Sequence, residues 1–212
     1  MAYDLEEQEQ IAVIKDWWAK WGSLVTTAVL AVLVGITGIQ AWKYYRNQQS
    51  GTASTLYVQL DTADKSNEPK KVQEIAATLA QSHSSLAYAS MAQLRAAKSF
   101  ATANDLANAR LRLQWVVDNT KEDELRDVAR LRLAGVLFDE KKPDEALKLL
   151  DVKHVTAFDG LYADLKGDIL ASQNKLAEAR AAYQIALEKS EARGNYTQVV
   201  QAKLDQIGGA KP

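Results

Sequence analysis

Residues 22–41, GSLVTTAVLAVLVGITGIQA, form a run without a single charged side chain. The step from Trp21 to Trp42 is 21 residues. As a helix rising about 1.5 Å per residue it would span roughly 31 Å, the thickness of a bilayer hydrocarbon core. Aromatic residues gather at both ends of the run, with Trp17, Trp18 and Trp21 before it and Trp42, Tyr44 and Tyr45 after it. Indole and phenol rings favour the headgroup level, where one edge is apolar and the other wet. A soluble core helix has no reason to carry such girdles. The pattern predicts a transmembrane helix over 21–42, a segment 1–20 on one side and a domain 43–212 on the other.

The first segment begins acidic, with Asp4, Glu6, Glu7 and Glu9. A secretory signal begins basic and ends at small residues, so an uncleaved anchor is expected. Ile11, Ile14, Trp18 and Trp21 recur at helical spacing, which predicts an amphipathic helix on the membrane surface. Lys15 and Lys20 before the span balance Lys43 and Arg46 after it, so charge alone leaves the orientation tied. Thr27, Ala31, Gly35 and Gly38 line one small-residue face, as close approach to a second membrane helix requires.

The remaining residues carry almost no strand pattern, and a helical frame repeats along them. Gly167, Ala179, Tyr183 and Ala186 are separated by 12, 4 and 3 residues. A small residue on each of two antiparallel helices lets their backbones approach, and an aromatic ring fills the space below. That is tetratricopeptide spacing, with Asn174 at the turn. Sliding back 33 residues gives Ala134, Ala146 and Leu150 around Lys141-Lys142-Pro143-Asp144. A further 37 gives Ala97, Phe100, Ala109, Leu113 and Val116 around Asn104-Asp105. Another 37 gives Leu60, Ala63, Val72, Ala76 and Leu79 around Ser66-Asn67-Glu68-Pro69. The expected fold is all-α: one transmembrane helix, then a tetratricopeptide-like solenoid of about four helix pairs. A last helix near 197–207 would cap the array through Val200, Leu204 and Ile207, since each repeat buries its apolar face only against neighbours.

Chemistry has little to stand on. The net charge of −1 gives no electrostatic case for nucleic acid, and the lack of cysteine removes disulfides and thiolate chemistry. His83 and His154 fall in expected inter-repeat turns, where a histidine is normally solvated and inert. Asp61, Asp64, Asp164 and Asp168 are carboxylates on first helices; Asp164 and Asp168 share a face at i, i+4, and a solvated helix face explains them without a metal. No phosphate loop is present, Gly208-Gly209 being a tail. No catalytic residue, metal or cofactor is expected. Binding remains. First helices of such pairs line a concave surface, placing Tyr57 and Asp61, Met91, Leu94 and Lys98, Leu131 and Phe138, then Leu161 and Asp168 on it. Its apolar middle predicts a groove for an apolar or amphipathic peptide, or else side chains packed among themselves.

The acidic start, Gln10-Ile11-Ala12-Val13-Ile14-Lys15, Trp17-Trp18, the span, Ala41-Trp42-Lys43-Tyr44-Tyr45-Arg46 and the degenerate repeats together resemble the YfgM family, ancillary subunits of the bacterial SecYEG translocon. The resemblance implies an inner-membrane protein with a cytoplasmic N-terminus and a periplasmic repeat domain. It further implies association with SecYEG and with the membrane-anchored chaperone PpiD, and help in passing exported polypeptides to periplasmic chaperones. A scaffold or regulator of an envelope complex, including stress signalling, that never touches client chains is the alternative.

Overall fold

A computed structural model of the chain describes residues 3–190 and 194–208. The chain divides into two compact units, residues 1–51 and 52–212.

The first unit belongs to helix α1, Tyr3–Lys65. Eight large apolar residues between 24 and 39 are each at least half exposed: Leu24, Val29, Leu30, Val32, Leu33, Val34, Ile36 and Ile39. The helix is long and apolar enough to cross a membrane. Its backbone groups are satisfied within the helix, which a spanning segment requires. The hydroxyls follow the same rule. Thr26 Oγ1 donates to the Gly22 carbonyl at 2.5 Å, Thr27 Oγ1 to Ser23 at 2.7 Å and Thr37 Oγ1 to Leu33 at 2.8 Å. At the flanks, Lys20 Nζ lies 6.0 Å from the Trp21 ring and the Arg46 guanidinium 5.4 Å from Trp42.

Among the described residues of the second unit the last turns of α1 and eight further helices form a stack. They are α2 (Pro69–Ser82), α3 (Ala87–Thr102), α4 (Leu106–Asn119), α5 (Asp123–Asp139), α6 (Pro143–Leu150), α7 (Asp159–Ser172), α8 (Leu176–Lys189) and α9 (Gly194–Gln206). Four turns set the pairing. Asn67, Asn104, Lys141 and Asn174 have φ of 56°, 59°, 65° and 60°. Each lies in the left-handed region that ends a helix. In every case the next residue's N–H returns to the carbonyl five residues earlier: Glu68 to Ala63 at 2.9 Å, Asp105 to Phe100 at 2.9 Å, Lys142 to Leu137 at 2.9 Å and Lys175 to Leu170 at 3.0 Å. These turns are 37, 37 and 33 residues apart, the repeat frame of the sequence.

Each turn brings two small or apolar residues face to face. Seven residues before it stand Leu60, Ala97, Ala134 and Gly167, and five after it Val72, Ala109, Ala146 and Ala179. All except Gly167 belong to the buried apolar clusters and are at most 3% exposed. The fourth crossing has room for no side chain at its first position. A Cβ on Gly167 would lie 2.5 Å from the Tyr183 ring, so only glycine fits. Two prolines begin second helices, Pro69 and Pro143, where a missing N–H costs nothing. Val200 and Leu204 of α9 are buried against α8, while Ile207 is half-buried. The third pair departs from the pattern: α6 has only eight residues. The segment 151–158, ending in a single 3₁₀ turn, replaces the missing turns.

Gly167→Ala is expected to destabilise the protein by about 1–3 kcal/mol through overpacking. Lys141→Gly should instead stabilise it by about 1 kcal/mol, by relieving a left-handed lysine. Denaturant titration of both variants followed by circular dichroism checks the opposite signs.

Candidate functional site

Helix α3 touches α5, and α5 touches α7, so the first helices of successive pairs share one face. On it Tyr57 is half-buried, its ring 5.7 Å from that of Tyr88. Met91, Leu131 and Phe138 are half-buried, Lys98 is exposed and Leu161 is 40% exposed. Leu94 is different. At 7% exposure it belongs to the cluster of Ala129 and Leu133 of α5, so it is core and not groove. Half-buried Met91, Leu131 and Phe138 with exposed Leu161 present apolar surface in a row across α3, α5 and α7.

Ion pairs tie this face together at both ends. Arg95 of α3 pairs with Asp64 and lies 3.5 Å from Asp61, both on α1. The hydrogen bond with Asp64 outweighs burial and raises the Arg95 pKa. Asp61 is held below its ordinary value, first by its bond to Lys65. At the other end Lys203 of α9 donates to Asp164 and Asp168 of α7, each at 2.8 Å. Burial opposes the charge on Lys203, but the two carboxylates prevail and its pKa is raised. Tyr183 donates to Asp168 at 2.8 Å, and burial with that bond pushes its phenol up. Tyr196 of α9 is pushed up to about 12, first by burial and then by Asp164. The four aspartates are therefore inter-helix ties and not a solvated face.

Neither histidine behaves as a free loop side chain. His83 is buried, and its Nδ1 has no partner among the described residues. His154 stacks on Tyr162 at 4.0 Å with 18° between the rings, and its Nε2 lies 3.1 Å from Asp159. This packing closes the gap left by the short α6. Asp127, buried on α5, accepts the Val155 N–H at 2.8 Å, while its backbone carbonyl accepts the Tyr162 hydroxyl at 3.0 Å. The sequence hid the arrangement because its parts lie up to 35 residues apart. Its bonds serve the fold. Among the described residues no group of three His, Asp or Glu is placed to hold a metal ion.

In the first unit Trp17, Trp18, Trp21, Trp42, Tyr44 and Tyr45 are all exposed. Thr27 and Ala31 are exposed too, and a Cβ on Gly35 or Gly38 would meet nothing within 4 Å.

The family model described as a tetratricopeptide repeat-like domain matches residues 15–209. The chain belongs to this family. Among curated proteins it is similar to one from Neisseria gonorrhoeae, 29% identical over 98% of this chain and 100% of the relative. A Haemophilus influenzae protein is 28% identical over 96% and 98%. One from Escherichia coli is 27% identical over 95% and 96%. All three are named ancillary SecYEG translocon subunit. The matches cover the apolar segment as well as the repeats. Within the tetratricopeptide-like array, α9 occupies the place of a further first helix, held by Lys203 as well as by apolar packing.

Replacing Lys203 by Met should cost about 1–2 kcal/mol, because Asp164 and Asp168 lose a partly buried partner. Hydrogen exchange is expected to speed up in α9 and leave α3 to α5 unchanged. Since the folded pKa of Lys203 is raised, its contribution is complete below the ordinary lysine range near pH 10 and is lost as pH rises through the folded value.

Proposed function

We propose that this chain is a non-enzymatic, membrane-anchored polypeptide-binding subunit of the bacterial inner membrane. It associates with the SecYEG translocon and passes exported chains to periplasmic chaperones, with a PpiD-like anchored chaperone as its partner. Residues 1–20 are cytoplasmic, 21–42 cross the lipid and 43–212 are periplasmic. The observation that carries the reading is the row of apolar side chains across successive first helices, with Met91, Leu131 and Phe138 half-buried and Leu161 exposed. The exposed apolar rod and the printed names of the relatives support the setting.

The mechanism follows from tethering. An anchor beside an export pore keeps the groove at high effective concentration near an emerging chain. Weak affinity then suffices, and weak affinity allows release to the next chaperone. Extended apolar segments meet the inner face by side-chain burial, which demands little sequence specificity. The small-residue face Thr27, Ala31, Gly35 and Gly38 is open for a second membrane helix.

A scaffold reading has one observation in its favour. A 340 Å³ recess between α4 and α6 is lined by Leu133, Leu137, Leu149 and the 60% exposed Leu111, outside the inner face. A partner docked there would leave the inner face unused.

Photo-crosslinkers at Leu131 and Phe138 are expected to capture exported polypeptides in spheroplasts, while one at Leu111 should not. Reaction only with neighbouring residues of the same molecule would end the groove reading, and capture only from Leu111 would favour the scaffold. Externally added protease should reach the repeats in the same spheroplasts. Alkaline carbonate should leave the protein in its vesicles.

A further inference from the structure

The repeat of 37 residues carries Arg95 onto Arg132, Asp61 onto Lys98 and Asp64 onto Ala101. Arg95 has two carboxylates on the preceding first helix, Asp61 and Asp64. Arg132 occupies the equivalent place on α5, but the preceding helix offers it a lysine and an alanine. Among the described residues Arg132 makes no ion pair or hydrogen bond. Its pKa is lowered, first by desolvation and then by the charge of Arg95. Arg132 is nevertheless an exposed residue, so a ligand can reach it. A partly desolvated guanidinium without a carboxylate of its own gains from an anion that joins it.

The rest of the inner face offers no internal anion for the task. Asp61 and Asp64 are taken by Arg95, and Asp164 and Asp168 by Lys203. Leu165 stands on α7 where Arg132 stands on α5, and it is half-buried. Arg132 thus sits in the middle of the apolar row, with Tyr57 and Met91 on earlier helices and Leu161 on the next.

We propose that Arg132, supported by Lys98, binds the carboxylate of an Asp or Glu side chain in the interior of a bound polypeptide segment. The proposal rests on the inner face being a polypeptide groove and adds the charge that the groove selects. A guanidinium pairs with a carboxylate through two parallel N–H donors, which fixes orientation as well as energy. Apolar positions on both sides of Arg132 favour an acid flanked by apolar residues over a chain terminus. The neighbouring leucines and phenylalanine favour a polypeptide over a polyanion. The charge also explains why Arg132 and Lys98 are left without an acid among the described residues: pairing within the chain would occupy the position a ligand uses.

The test uses the full-length protein in nanodiscs, with empty nanodiscs as the control for partition into lipid. Short peptides of Leu, Phe, Ala and Ser carry an uncharged fluorophore and a C-terminal amide. One has a central Glu and the other a central Gln. A third has the central Gln and a free C-terminal carboxylate. Anisotropy is expected to give about tenfold tighter binding of the Glu peptide than of either Gln peptide. Arg132→Gln should erase that preference, bringing the Glu peptide down to the affinity of the amidated Gln peptide. Lys98→Asp, which supplies the partner Arg95 already has, should erase it as well. Equal binding of the Glu and amidated Gln peptides overturns the anion site. The groove itself survives that result if Phe138→Asp still abolishes binding of both. Preference for the free terminus alone overturns the interior acid. No binding of any peptide overturns the groove and the anion site together.

Discussion

The approach of two backbones at a small residue, once per helix pair, is the contact on which the repeat domain depends. The left-handed turn makes that contact possible by fixing the register. With the turn residue set, the residues seven before and five after it must face each other, and only small or well-packed side chains can stand there. The three tightest crossings use Ala97 with Ala109, Ala134 with Ala146 and Gly167 with Ala179. The first uses Leu60 with Val72, a bulkier pair. Each pair then has one apolar face left over, which only a neighbour can cover. At the N-terminal end the last turns of α1 serve as the first helix, through Ala53, Leu60 and Ala63. At the C-terminal end α9 covers α8 with Val200 and Leu204.

The architecture was legible because its constraints are local and repeat. Turn positions Asn67, Asn104 and Asn174 are residues that tolerate positive φ, and the small residues follow at fixed offsets. Lys141 has no such tolerance, yet Pro143 two residues on marked the same turn. What the sequence concealed depends on distant partners. Nothing local ends α6 at Leu150, since neither glycine nor proline follows. The helix stops where Asp127, His154 and Tyr162 hold the segment after it in an alternative packing. His154 consequently looked like a loop residue. Leu94 shares its repeat position with Tyr57 and Leu131, so periodicity assigned it to the groove. Ala129 and Leu133 on α5 draw it into the core instead.

Charge was misjudged for a related reason. Asp61, Asp64, Asp164 and Asp168 are spaced like residues of a solvated helix face. Their partners, Arg95 and Lys203, lie about a repeat further along the chain and become visible only when first helices are set side by side. A comparison between equivalent positions would have revealed them, since Arg95 and Arg132 are one repeat apart. Arg132 then stands out by what it lacks.

The two ends and the middle of the inner face therefore solve different problems. A terminal helix has a neighbour on one side only, so it gains less from apolar burial and more from partly buried ion pairs that cross to the next first helix. Those pairs are worth more than surface pairs because water reaches them less easily. Helix α5 has neighbours on both sides and needs no such tie. Evolution of a purely structural array could place any polar or apolar residue at Arg132 without loss. Arg132, partly desolvated and without an ion pair among the described residues, gains less within the chain than Arg95 does. A partner that covers the apolar row and supplies a negative charge would gain from both at once, apolar burial and an ion pair.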